Sequence, residues 1–116
     1  MDAPLDRPAL ERVARFFAVL ADATRLEILQ YLKGLPQAEA CVSQVVQALG
    51  IKQAAASKQL AALADAGLLT RRRHGNQVFY GIGDEMVFAM CELVCGKLGR
   101  EASGMLQHFA GASAIR

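Results

Sequence analysis

The 116-residue sequence predicts a mainly α-helical fold with one small β-hairpin. Three observations carry that expectation. Apolar residues recur at helical spacing in several segments, and glycines and capping residues separate them. Between about 68 and 83 the pattern changes to two short β-type runs around His74-Gly75-Asn76-Gln77. The length allows one domain, 1–116, near the size at which dimerisation commonly adds to stability, and no repeat or interdomain linker interrupts it.

Val13, Phe16, Phe17 and Leu20 fall at i, i+3, i+4 and i+7 and predict a first helix over about 8–20, with Pro8 in its first turn. Ile28, Tyr31, Leu32 and Leu35 repeat the spacing in a second helix, with Asp22 as its N-cap and Gly34-Leu35-Pro36 as its end. Val42, Val45, Val46 and Leu49 make a short third helix stopped by Gly50. A fourth follows over about 53–66, burying Ala56, Leu60 and Leu63 and closing at Gly67. The hairpin occupies about 68–83, with Arg71, Arg72 and Arg73 beside its tip. A last helix over about 84–109 carries Val87, Met90, Cys91, Val94 and Leu98 on one stripe, extended by Ala102, Met105 and Phe109.

Two helices joined by a tight glycine turn and followed by a basic hairpin outline a winged helix-turn-helix, whose second helix enters the DNA major groove. Charge distribution points the same way. The whole chain carries +2, but residues 51–77 hold Lys52, Lys58, Arg71, Arg72 and Arg73 against Asp65 alone, which is +4 and leaves −2 elsewhere. Such confinement matches the electrostatic footprint of a phosphate-binding surface, although a solvated charged face has the same composition. On the fourth helix Gln53, Ala54, Ser57, Lys58 and Ala61 point away from the apolar stripe. Gln53 and Ser57 are suited to base edges, Ala54 to a thymine methyl, and Lys58 to phosphate. Lys52 stands at the N-cap position with no acceptor to offer, a local defect that a DNA phosphate at the helix start would remedy. Arg72, Arg73 and His74 are the expected wing contacts, to backbone or an adjacent minor groove. Double-stranded operator DNA is therefore the expected partner.

Other classes fit less well. The unbroken apolar run Phe16 to Ala21 is far too short to cross a bilayer, so no membrane span is expected. The start, Met1-Asp2-Ala3-Pro4-Leu5-Asp6, has neither the basic residues nor the hydrophobic stretch of a secretory signal, and a cytoplasmic location is the expectation. His74 and His108 are the only histidines, and His74 falls in a basic hairpin without an evident partner, so an enzyme is not expected. A pure protein-interaction module would not need the +4 segment.

Three stretches make a family resemblance specific: Phe17-Ala-Val-Leu-Ala-Asp-Ala-Thr-Arg-Leu-Glu-Ile-Leu-Gln-Tyr-Leu32, Ser57-Lys-Gln-Leu-Ala-Ala-Leu-Ala-Asp-Ala-Gly-Leu-Leu69 and Arg72-Arg-His-Gly-Asn-Gln-Val-Phe-Tyr80. Over about residues 10–95 the chain resembles the ArsR/SmtB family. That resemblance implies a homodimer, with the first and last helices packed at the two-fold axis, that represses genes until an inducer weakens its hold on DNA. The family's thiolate motif resembles Glu39-Ala40-Cys41-Val42-Ser43-Gln44-Val45, but only the first cysteine is present. Its zinc site on the last helix begins Asp-x-His, where this chain has Asp84-Glu85-Met86, and zinc sensing there is rejected.

Cys91 and Cys95 remain as an i, i+4 pair on the last helix, with Cys41 at the matched family position. Neighbouring thiolates bind a soft ion, and a third would make a trigonal site for As(III) or a soft divalent metal, which would act as inducer; no cofactor is obligatory. Cysteines on an apolar stripe also serve as small buried hydrophobes, and for Cys91 both readings stand. A thiol-based redox or reactive-sulfur switch joining Cys41 to a last-helix cysteine is the alternative.

Overall fold

The computed structural model describes residues 4–108, with side chains described for residues 4–103. Five helices and three strands follow one another: α1 (Arg7–Leu20), α2 (Ala23–Lys33), β1 (Glu39–Cys41), α3 (Val42–Leu49), α4 (Gln53–Asp65), β2 (Thr70–His74), β3 (Gln77–Gly81) and α5 (Glu85–His108). Among the described residues, those as far as Asp84 form one compact unit and those from Glu85 a second. The helical unit closes its backbone hydrogen bonds within itself, as any α-helix does. Phe109, placed on the last helix by the sequence pattern, lies outside the described residues.

Local chemistry sets the helix boundaries. The carboxylate of Asp6 accepts from the Ala9 N–H at 3.0 Å at the start of α1, and that of Asp22 accepts from the Arg25 N–H at 3.0 Å at the start of α2. Each satisfies an amide that the first helical turn leaves without an internal partner. Gly50 ends α3 at φ 68°, a left-handed conformation costly to a residue with a Cβ, and turns the chain into α4 within three residues.

Ile28, Leu29 and Leu32 of α2, Val45 of α3, Ala56, Leu60 and Leu63 of α4, and Leu68 form the buried centre of the first unit. Packing that ties α2, α3 and α4 together fixes the helix-turn-helix pair. The three strands form an antiparallel sheet in the order β1-β3-β2. Gly75, at φ 65°, opens the two-residue turn between β2 and β3. The sequence predicts only the hairpin; β1 adds a third strand, pairing Glu39 with Gly81, Ala40 with Tyr80 and Cys41 with Phe79.

Two expected apolar stripes are not internal core. On α1, Leu20 is buried, but Val13 and Phe17 are exposed, Phe17 by 59%. On α5, Val87 and Cys91 are buried, whereas Val94 and Leu98 are exposed, as is Leu93 outside the expected stripe. No helix among the described residues is long and apolar enough to cross a membrane.

Candidate nucleic-acid interface

Helix α4 presents Gln53, Ala54, Ser57 and Lys58 to solvent while Ala56, Leu60 and Leu63 face inward, so four of the five residues expected on its outer face are there. Ala61 is half-buried, because it flanks Leu60 at the edge of the packed stripe. Lys52 occupies the N-cap with φ −72° and ψ 151° and makes no capping hydrogen bond. The side chains of Lys52, Gln53, Ser57 and Lys58 form no hydrogen bond or ion pair among the described residues.

One polar residue of α4 does have a partner. Gln59 accepts from Arg25 Nε at 2.7 Å, and Arg25 Nη1 donates to the Val19 carbonyl at 3.0 Å. Arg25 thus joins the end of α1, the start of α2 and the middle of α4. It was not foreseen as a site residue, yet its sequence carried a signal: a cation in the first turn of a helix opposes the dipole and calls for an acceptor elsewhere.

Strand alternation divides the three wing arginines. Arg71 pairs across the ladder with Tyr80, donating from Nε to its hydroxyl at 3.3 Å with the guanidinium carbon 5.4 Å from the ring centroid. Arg72 lies over the Phe79 ring at 4.9 Å and donates from Nε and Nη2 to the two carboxylate oxygens of Glu39, each at 2.9 Å. That pairing holds the Glu39 carboxyl below its ordinary pKa and the Arg72 guanidinium above its own. Arg73 and His74 are exposed, and their side chains have no partner among the described residues. Glu39 was outside the expected site; its role depends on a strand pairing that local sequence does not reveal.

Cys41 ends β1 and caps α3. Its N–H donates to Gln44 Oε1 at 2.9 Å, and its sulfur lies 3.2 Å from Ser43 Oγ. Burial pushes the thiol up, but the Ser43 hydroxyl and the backbone N–H groups of Gln44, Ser43 and Cys41 outweigh it, and the net shift is downward. Cys91 is buried and Cys95 exposed, one turn apart on α5. The described residues contain no group of three His, Cys, Asp or Glu side chains placed to hold a metal ion.

Residues 22–71, which run from the N-cap of α2 into β2, match the family described as bacterial regulatory protein, arsR family. The HTH-type transcriptional regulator NmtR of Mycobacterium tuberculosis is 36% identical over 85 residues, covering 73% of this chain and 68% of that protein. The chain belongs to the ArsR family of bacterial regulatory proteins. A probable mercury resistance operon repressor of Streptomyces lividans is 38% identical over 77 residues, 66% of this chain and 59% of that relative. A SmtB homologue of Synechocystis is covered over 64% of its length, so the chain spans less than two thirds of either of these two curated relatives. Among solved structures, the AntR antimony-specific transcriptional repressor superposes with TM-score 0.73 at 34% identity, covering 89% of this chain and 92% of that one. A homodimeric winged helix-turn-helix DNA-binding domain from Mycobacterium bovis gives 0.70 at 35% identity, covering 85% and 91%. The ArsR-family fold of this chain is thus a winged helix-turn-helix, with α3 and α4 as the helix pair and β2 and β3 as the wing. These relatives are transcriptional regulators, not enzymes.

Proposed function

We propose that this ArsR-family chain is a cytoplasmic transcriptional repressor that binds operator DNA as a homodimer and is released by an inducer sensed through its cysteines. One observation carries the DNA-binding part. Lys52, Gln53, Ser57 and Lys58 along α4, and Arg73 and His74 at the wing, leave a row of exposed polar side chains without partners in the chain. Base edges and phosphates supply what those groups lack. Exposed Leu10, Val13 and Phe17 on α1, and Leu93, Val94 and Leu98 on α5, supply apolar surface that a second copy would cover. A two-fold dimer then requires a palindromic site with half-sites about one helical turn apart.

Thiols are the inducer's chemistry. Cys91 and Cys95 offer two soft donors one turn apart, suited to As(III), antimonite or a soft metal ion, and Cys41 is biased towards its thiolate. Met86, where the family's zinc site has histidine, argues against zinc acting there. The same lowered Cys41 thiol favours a second reading, in which peroxide or polysulfide oxidises it.

Labelled palindromic DNA tests both parts. Ser57→Ala and Gln53→Ala should relax base preference, and Arg73→Ala should weaken binding to every sequence and reduce its salt dependence. Unchanged specific binding in all three variants would defeat the assigned surface. Reduced wild-type protein and the three Cys→Ser variants are then titrated with arsenite, antimonite, soft metals, peroxide and polysulfide. Normal release of DNA from the triple cysteine variant would eliminate thiol sensing.

A further inference from the structure

Arg72 spans the whole wing. It stands on β2, one edge of the three-stranded sheet, and Glu39 stands on β1, the other edge, with Phe79 of β3 between them. Neighbouring strands lie about 4.8 Å apart, so the side chain crosses roughly 10 Å to reach its partner. It does so along a defined path, over the Phe79 ring at 4.9 Å and into both carboxylate oxygens at 2.9 Å. The two-toothed arrangement occupies the Nε–Nη2 edge of the guanidinium.

The strands it joins are short: three residues in β1 and five each in β2 and β3. Hairpins of that size hold their orientation weakly by themselves. A side chain tying both edges together therefore restricts how the wing tilts against β1, which runs directly into the Cys41 cap of α3. Moving Arg72 to a DNA phosphate would leave the Glu39 carboxylate beside that phosphate, and the resulting like-charge contact opposes the move. Arg73, the next residue, carries no such restraint.

Given the DNA-binding function proposed above, we infer that Glu39 and Arg72 are a positioning pair that sets the angle of the wing, while Arg73 supplies the wing's phosphate contact. Arg72 affects DNA binding through wing geometry and not by neutralising DNA charge. Charge count and geometry therefore separate the two arginines, although they are adjacent in sequence and both exposed.

Two measurements on the full chain test this. The first is operator affinity across a salt series for wild type, Glu39→Gln, Arg72→Gln, the double variant and Arg73→Gln. Glu39→Gln and Arg72→Gln should each weaken binding roughly 2–5-fold, the scale of an exposed ion pair, and the double variant should be no weaker than either. Their logarithmic salt slopes should match wild type, whereas Arg73→Gln should reduce the slope by about 2 per dimer. The second is amide hydrogen exchange without DNA. Glu39→Gln and Arg72→Gln should accelerate exchange in β1 and β3, and the reversed pair Glu39→Arg with Arg72→Glu should restore protection. A salt slope lowered by Arg72→Gln as much as by Arg73→Gln, or tighter binding by Glu39→Gln, would overturn the positioning role. Unchanged exchange in both single variants would overturn the clamp itself. Absence of salt-sensitive binding by the wild type would defeat the DNA-binding reading and with it the role in binding, while the exchange experiment would still decide whether the clamp orders the wing.

Discussion

Replacing Arg25 by Met should loosen α4 without removing any group on its solvent-facing side. The guanidinium makes two tertiary hydrogen bonds, to Gln59 Oε1 at 2.7 Å and to the Val19 carbonyl at 3.0 Å. It also places a cation at the end of α1, whose last turn has no basic residue of its own. Hydrogen bonds to charged groups contribute about 1.5–3 kcal/mol each, and a cation at a helix C-terminus adds about 0.3–1 kcal/mol. The site is only half-buried, so water compensates part of the loss, and a total of about 2 kcal/mol is expected. For a unit of this size that lowers Tm by roughly 8–16 °C. Gln59→Leu removes one bond and should cost about 1 kcal/mol. Arg25→Lys keeps the charge but supplies no planar fork to span both acceptors, and should fall between wild type and Arg25→Met. Denaturant unfolding at fixed protein concentration, with the Arg25→Met/Gln59→Leu double variant completing the cycle, measures the coupling. A coupling below about 0.3 kcal/mol, the level found between independent sites, would refute the Arg25–Gln59 link from α2 to α4.

Four further outcomes follow from the same structure. In a Cys91→Ser/Cys95→Ser background, alkylation of Cys41 should titrate below an ordinary thiol and Ser43→Ala should raise the midpoint; a midpoint at or above the ordinary value would remove the electrostatic account. Because the folded pKa is the lower one, stability from this thiolate should grow as pH rises through that pKa, be complete above the unfolded value, and vanish as pH falls through the folded pKa, measurable as a loss of pH dependence in Cys41→Ser. Gly83→Ala would put a Cβ 2.8 Å from Thr70 Cγ2, so it should destabilise by about 1–3 kcal/mol in denaturant unfolding, with relief in a Thr70→Ser background. Gly50→Ala, at φ 68° with open space around its Cβ, should cost about 1 kcal/mol from backbone conformation alone; a neutral result would mean that the turn between α3 and α4 adjusts freely.

The helices were legible because their boundaries are written locally. Asp22 caps α2, Gly50 closes α3, and the apolar spacing of Ala56, Leu60 and Leu63 orients α4, each within one or two turns of chain. Strand β1 was not legible, since Glu39-Ala40-Cys41 is too short to show alternation and becomes a strand only by pairing with β3, some forty residues later. Spacing also identified the stripes of α1 and α5 correctly as helical, but periodicity does not say what covers a stripe. Phe17 and Val94 satisfy the pattern and are nevertheless exposed within the chain.

Charge shows the same division between local and tertiary information. Five cations in residues 51–77 single out the surface, and the helix spacing sends Lys58 outward alongside Ser57. What composition does not contain is which of those cations the protein has already used. Arg72 is paired with Glu39, a residue outside the basic segment that lowers its effective charge by one, whereas Arg71 rests against the neutral Tyr80 and keeps its charge. Lys52, Lys58 and Arg73 are left with their charges uncommitted among the described residues. On the DNA-binding reading proposed above, a salt slope computed from the sequence counts five sites per protomer, whereas the structure leaves four of those cations without a carboxylate partner. The adjacent arginines of the wing are therefore chemically equivalent only until the sheet forms; cross-strand register then gives each a different neighbour and a different task.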